Sequence, residues 1–254
     1  MKISIIGSGN VATVMGRKIL GAGHEIMEVF SPTEMHAISL AKTLGAYPCS
    51  TWEDINKNAD LYLAAISDPA LNQLSYHLSL QKKLIVHTAG SVSIEVLKLI
   101  SKNFGVLYPL QSLRKELSRI PEIPFLVDGN SSETLALISD FASSLSDKVQ
   151  RSGDEERLKL HLASIIVNNF TNHLYGMAEK FCFEQGVQFK LLLPLIDETA
   201  GRMHDYSPNE TQTGPAFRKD WGTISKHLEL LAGNQGLQEL YALLSKSIME
   251  RNNG

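Results

Sequence analysis

Over residues 1–152, short apolar runs alternate with stretches whose apolar positions recur every three or four residues. The runs at 2–6, 25–30, 61–66, 84–87, 105–108 and 125–127 predict strands, and a last strand is expected near 148–151. The periodic stretches at 11–20, 33–44, 69–80, 94–100 and 132–145 predict the helices between them. Such alternation is the pattern of a mainly parallel sheet covered on both faces by helices. After Gly153 only the helical period remains, at about 155–184, 189–203, 221–231 and 235–249. The expectation is an α/β part over 1–152 followed by an all-helical part over 153–254, joined by a linker too short to separate independent modules.

The first strand runs straight into Gly7, Ser8, Gly9, Asn10, Val11 and Ala12, and from there into a helical pattern. This is the G-x-G-x-x-A form of the dinucleotide fingerprint. Gly7 permits the tight turn, Gly9 lets backbone approach a pyrophosphate, and Ala12 allows close packing of helix on strand. The helix N-terminus offers unpaired N–H groups and a positive dipole end to phosphate. With the fingerprint in place, the first part reads as a Rossmann-type doubly wound domain. A plain glycine turn or a methyltransferase-like site is the competing reading.

Cofactor choice is read at the tip of the second strand, where an NAD enzyme usually carries an acid for the ribose hydroxyls. Here stand Phe30, Ser31, Pro32 and Thr33, with Glu34 and His36 the nearest titratable groups. No carboxylate at the tip repels a 2′-phosphate, and Ser31 and Thr33 can donate to one, so NADP(H) is expected in preference to NAD. Either hydroxyl could instead cap the next helix. No base stands at that tip, so N–H groups after Gly7 and a few hydroxyls are expected to do most of the holding.

Other strand tips bear on the site because ligands of doubly wound sheets sit outside the carboxyl ends of the strands. Ser67, Asp68 and Pro69 read as a helix start that can also touch cofactor. His87, Thr88, Ala89, Gly90 and Ser91 form a small polar cluster. His87 is a candidate proton donor there or a structural histidine, and Thr88 a candidate cofactor contact. Tyr108 to Ser112, at the tip of the sixth strand, read as a turn, with a ligand contact as the alternative.

In the helical part, His161, Ile165, Asn168, Asn169, Asn172 and Gly176 share one face by the i, i+4, i+7 rule. A mainly polar stripe on an uncharged helix predicts burial on most sides, with partners for the imidazole and amides in a substrate, another helix or a second subunit. Further on, Gly214 and Pro215 fix a loop, Asp220 can cap the helix after it, and Arg218 suits a two-pronged grip on a carboxylate. An ion pair with Asp220 is the alternative for Arg218.

Composition narrows the function classes. The 24 Lys and Arg against 27 Asp and Glu leave a net charge of −3 without same-sign runs, which argues against nucleic acid or a polybasic membrane surface as partner. Two cysteines, Cys49 and Cys182, cannot build a disulfide framework or a thiolate zinc site, and no metal is expected. The apolar run at the start stops at Gly7, short of a signal peptide, and residues 160–178 carry too many polar groups to span a membrane. A cytoplasmic location is expected.

Taken together, GSGNVA from Gly7, SDPAL from Ser67, HTAGS from His87, YPLQS from Tyr108, the helix with His161 and Asn169, and TGPAFRKDWGTISKHL from Thr213 resemble a known bacterial family. Its members are candidate NADP oxidoreductases with an N-terminal Rossmann-like domain and a C-terminal helical domain of unknown function. More distantly, the layout is similar to pyrroline-5-carboxylate reductases, 6-phosphogluconate-type dehydrogenases and deazaflavin-linked NADP reductases. The resemblance implies NADPH binding and hydride transfer, with the helical domain as the substrate side and a homodimer interface. The chain departs from hydroxyacid dehydrogenases, which place a Lys one turn before an Asn on the long helix, where Ser164 and Ile165 stand here. It departs from pyrroline reductases in having Pro32 where they carry an Arg.

The function expected is hydride transfer between NADPH and a small C=O or C=N substrate, an anionic one. His161 or His87 would donate the proton, Asn169 would orient, and Arg218 would anchor the anionic group. The alternatives are an NADP(H)-binding sensor or scaffold without turnover and, third, an S-adenosylmethionine transferase.

Overall fold

The structure, a computed structural model, describes residues 1–251. Its strands are β1 (Lys2–Ile6), β2 (Glu25–Phe30), β3 (Tyr47–Cys49), β4 (Leu61–Ala64), β5 (Gln81–His87), β6 (Ser101–Pro109), β7 (Phe125–Gly129) and β8 (Val149–Arg151). They form one sheet in the order β3-β2-β1-β4-β5-β6-β7-β8. Strands β1 to β6 pair in parallel, so their carboxyl ends line one edge. Strand β7 is antiparallel to β6, and β8 is parallel to β7.

The antiparallel pair follows from the connection. Residues 110–124 form no helix, so the chain returns into the sheet from the edge at which β6 left it. Those residues therefore lie over the carboxyl edge. Strand β3 had no counterpart in the sequence pattern: it is three residues long and contains Pro48, which only an edge strand tolerates.

Helices α1 (Asn10–Gly21), α2 (Glu34–Leu44) and α4 (Ser132–Leu145) close one hydrophobic core with Ile3, Ile5, Val29, Leu63, Val86 and Phe125. The other face carries α3 (Asp68–Gln73), which continues as a 3-10 turn at Leu74–Tyr76, and a second 3-10 turn at Ile94–Leu97. Its core holds Ile6, Phe30, Tyr62, Leu71 and Ile85. Covered on both faces, β4 is buried at all four positions, which is why the sequence shows a continuous apolar run there instead of alternation. Gly16 lets α1 and α2 approach, since a Cβ there would stand 2.5 Å from Leu44 Cδ1.

The chain divides into two compact units, one of residues 1–170 and one beginning at Thr171. The first extends beyond residue 152 through α5 (Asp154–Ser164) and a π-helical turn, Ile165–Phe170. Arg157 is fully buried, and Leu160 packs on the cluster of Val106, Tyr108 and Leu126. The second unit holds α6 (Thr171–Glu184), α7 (Leu193–Gly201), α8 (Trp221–Leu230) and α9 (Gln235–Arg251).

The expectation that the long helix is buried on most sides is not met within one chain. From α5 through α6 only Arg157 and Cys182 are buried. Among the described residues no helix is long and apolar enough to cross a membrane.

Candidate functional site

The turn after β1 is tight and depends on glycine. Gly7 has φ +121, and a Cβ there would lie 2.2 Å from the Ala65 carbonyl oxygen, so both its conformation and its packing on the β4 tip demand glycine. Gly9 is the N-cap of α1, makes no side-chain cap and has nothing within 4 Å of a built Cβ. The first-turn N–H groups thus have no side chain to cap them, and Gly9 and Asn10 at the start of the turn are exposed. Ala12 is fully buried against the sheet. The uncapped helix start and the room at Gly9 are compatible with a dinucleotide pyrophosphate.

At the β2 tip, Ser8 Oγ donates to Ser31 Oγ at 3.0 Å, which ties the first turn to the second. Thr33 is the N-cap of α2, yet its hydroxyl makes no capping bond. Ser67 occupies the N-cap of α3, also without a side-chain cap, and Pro69 sits in the first turn as expected. Asp68 Oδ2 accepts a 2.6 Å bond from Ser91 Oγ, joining the β4 and β5 tips. Thr88 is buried, its N–H directed at the Ala64 carbonyl at 3.3 Å.

A second cavity, about 450 Å³, opens at the β6 tip. Tyr108 lines it from the strand, and His161, Ser164, Asn168 and Asn169 line it from the helix. The Tyr108 hydroxyl and His161 Nδ1 are 2.9 Å apart, with the rings edge to face. Burial pushes the Tyr108 hydroxyl above its ordinary range, against the opposite pull of a bond with Ser164 and the charge of Arg157. The phenol is therefore protonated at neutral pH.

The π turn explains how both amides reach this cavity. Its i→i+5 bonding inserts an extra residue per turn and breaks the single face on which the sequence period placed His161, Asn172 and Gly176. His161, Ile165, Asn168 and Asn169 stay together in the cavity wall, whereas Asn172 and Gly176 do not line it.

Beside it, His87 is fully buried at the end of β5, and Arg157 is as deep. The guanidinium donates through Nη2 to Asp154 Oδ1 at 2.7 Å and to the Val92 carbonyl. Burial first, and the Arg157 charge second, lower the His87 pKa to about 4. Its Nδ1 accepts from the Ala89 N–H at 3.1 Å. The ring is neutral near pH 7.

The first 90 residues fit a known pattern: residues 2–90 match the family described as NADP oxidoreductase, coenzyme F420-dependent. Residues 123–248 match DUF2520, a domain of unknown function. A Bacteroides fragilis protein of known structure, described as a candidate NADP oxidoreductase, is 38% identical, covers 98% of both chains and superposes with a TM-score of 0.92. The chain belongs to this NADP oxidoreductase family. The fold is shared more widely. A pyrroline-5-carboxylate reductase from Streptococcus pyogenes is 16% identical over 99% of this chain and 98% of its own, with a TM-score of 0.67. A reductive aminase from Aspergillus terreus, solved with NADPH and ethyl-5-oxohexanoate, is 18% identical over 98% and 94%, with a TM-score of 0.68. No curated protein matches the chain.

Two residues of the cavity region had no chemical part in the sequence-based expectation. Tyr108 closes the expected sixth strand and opens the tip after it, but it was given no catalytic part, although a tyrosine next to last on a parallel strand points to the ligand-bearing edge. Arg157 carried no sequence signal beyond a charge in a helix. Arg218 lies in the second unit, exposed on the loop before α8. Its expected competitor is otherwise engaged: both Asp220 oxygens bind Thr223, at 3.0 Å to its N–H and 2.7 Å to its hydroxyl, so Asp220 caps α8. Among the described residues no group of three or more His, Cys, Asp or Glu side chains is placed to hold a metal.

Proposed function

We propose that the protein is an NADPH-dependent reductase of a small C=N or C=O substrate, with Tyr108 and His161 as the proton-donating pair. The observation that carries this is the 2.9 Å contact between Tyr108 and His161 in the wall of a cavity at the same sheet edge as the Gly7 to Ala12 turn. The free first-turn N–H groups of α1, with the hydroxyls of Ser31 and Thr33, would hold the dinucleotide, and Ser67, Asp68 and Thr88 line its course along the strand tips. When bound, the reduced nicotinamide supplies the hydride. Tyr108 would present its O–H to the substrate heteroatom, and a proton drawn from solvent would return to the phenolate oxygen by way of His161, whose Nδ1 stands 2.9 Å from it. Asn168 and Asn169 orient the substrate by amide hydrogen bonds. His87 is left out of proton transfer because it is neutral and enclosed.

The helical part supports a homodimer. Among the described residues from Thr171 on, the buried ones are Cys182, Ala216, Ile224, Leu231 and Ser245, while Phe183, Leu191, Leu195, Trp221, Leu230 and Leu243 are exposed. Helices patterned for burial but left uncovered need a partner surface, and a second copy of the chain supplies one. Sedimentation should give a dimer.

The deciding experiment is NADPH oxidation with a panel of keto acids, aldehydes with amines, and cyclic imines. Turnover that depends on Tyr108 supports the reading. Tight NADPH binding with no turnover on any of them would favour a sensor role instead.

A further inference from the structure

A groove of about 430 Å³ runs between α1 and α2 below the Gly9 turn. Its walls carry Arg17 from α1, His36 from α2 and Lys115 from the connection after β6, with the hydroxyls of Ser8, Ser39 and Thr43 between them. No Asp or Glu lines it. Glu116, next to Lys115, pairs with Arg114 at 3.4 Å, and among the described residues neither Arg17 nor Lys115 has an ion-pair partner.

The connection is held against α1 from two sides. Arg17 Nη1 donates to the carbonyls of Lys115 and Leu117, each at 3.2 Å, and the Lys115 N–H donates to Asn10 Oδ1 at 3.3 Å. Arg17 sits two turns below Gly9, so its side chain reaches back up the helix and fixes residues 115–117 beside the first turn. Two cations are thereby brought to the groove by positions 98 residues apart in the chain.

We propose that this groove binds the 2′-phosphate of NADP(H), with Lys115 as the contacting cation and the Arg17-held connection as the strap that positions it. The proposal rests on the dinucleotide reading above and names the group that selects NADPH over NADH. A phosphate monoester carries about −1.5 to −2 charge at pH 7 and three acceptor oxygens, which suits two cations with hydroxyl donors around them. The pyrophosphate has its own partners in the first-turn N–H groups, so the groove is available for a further phosphate. The β2 tip has no base because the strap brings one from elsewhere.

The test is fluorescence titration of the full chain with NADPH, NADH and adenosine 2′,5′-bisphosphate. Wild type should prefer NADPH. Lys115→Met should weaken NADPH and the bisphosphate roughly 10- to 100-fold, the size of a charge-assisted hydrogen bond, with NADH unchanged. Lys115→Arg should restore most of the loss, and unchanged NADH binding shows that the variants fold. Equal weakening of NADPH and NADH in Lys115→Met, or no change in either, overturns the assignment, as does a wild type without preference, while leaving dinucleotide binding intact. A wild type that binds neither dinucleotide removes the functional reading itself.

Discussion

Gly90 and His161 touch so closely that a Cβ on Gly90 would stand 2.6 Å from His161 Nδ1 and 3.0 Å from its Cβ. The nearest atoms include the root of the imidazole side chain, so rotation of the ring does not relieve the clash. Gly90→Ala should displace His161 from Tyr108, lower stability by about 1 to 3 kcal/mol as overpacking does, and reduce turnover about 100-fold. Denaturation midpoints and steady-state kinetics on the same preparation check this. Unimpaired turnover would show that the Tyr108–His161 contact is not used.

Tyr108→Phe keeps the ring and its packing but removes the hydroxyl. NADPH affinity should stay near wild type and kcat should fall about 100-fold, the low end for loss of a general acid. Because burial raises the phenol pKa, the wild-type rate should show no alkaline loss from this group until above its ordinary value of 10.0. A fall in affinity with kcat intact would make Tyr108 a binding residue.

The two glycines of the first turn should respond differently to the same methyl group. Gly7→Ala meets a carbonyl at 2.2 Å with φ at +121, so it should cost about 3 kcal/mol or more of folding stability. Gly9→Ala has φ −81 and open space, so its stability should change by less than about 1 kcal/mol. Its NADPH affinity should nonetheless drop at least tenfold, about 1.4 kcal/mol, as the methyl occupies the approach of the pyrophosphate. Calorimetric scans paired with NADPH titrations separate the two effects.

The neutral His87 makes folding sensitive to mild acid. Its pKa falls from 6.5 to about 4 on folding, so its contribution is complete above 6.5 and is lost as pH falls from there towards 4, where the unfolded chain takes up a proton that the buried ring does not. The loss is at most about 3 kcal/mol over that window. Urea midpoints at the two ends should differ more for wild type than for His87→Gln. Arg157→Gln should shorten the same window only in part, because burial is the larger cause.

Much of the fold was written in local patterns. Strands β1, β2, β5 and β7 and helices α1, α2 and α4 lie within a few residues of where apolar runs and helical periods put them, since each strand buries its own run between the same two helical layers. The dinucleotide turn was equally legible, because Gly7, Gly9 and Ala12 answer to steric demands met within a few residues. Strand β3 was hidden by Pro48, and the direction of β7 by a connection whose path depends on the edge it leaves.

The chemistry of the cavity and the groove was decided elsewhere. Tyr108 meets His161 across 53 residues, and Arg17 meets the 115–117 strap across some 100, and no local period encodes either pairing. His87 looked like an acid–base residue by type and place, yet burial beside Arg157 makes it neutral. Electrostatics and desolvation depend on what surrounds a side chain in space. By itself the sequence determined which residues form strands and where a dinucleotide turn stands; only the tertiary structure determined which of its titratable groups share a site, since charge and burial are properties of neighbours brought together by folding.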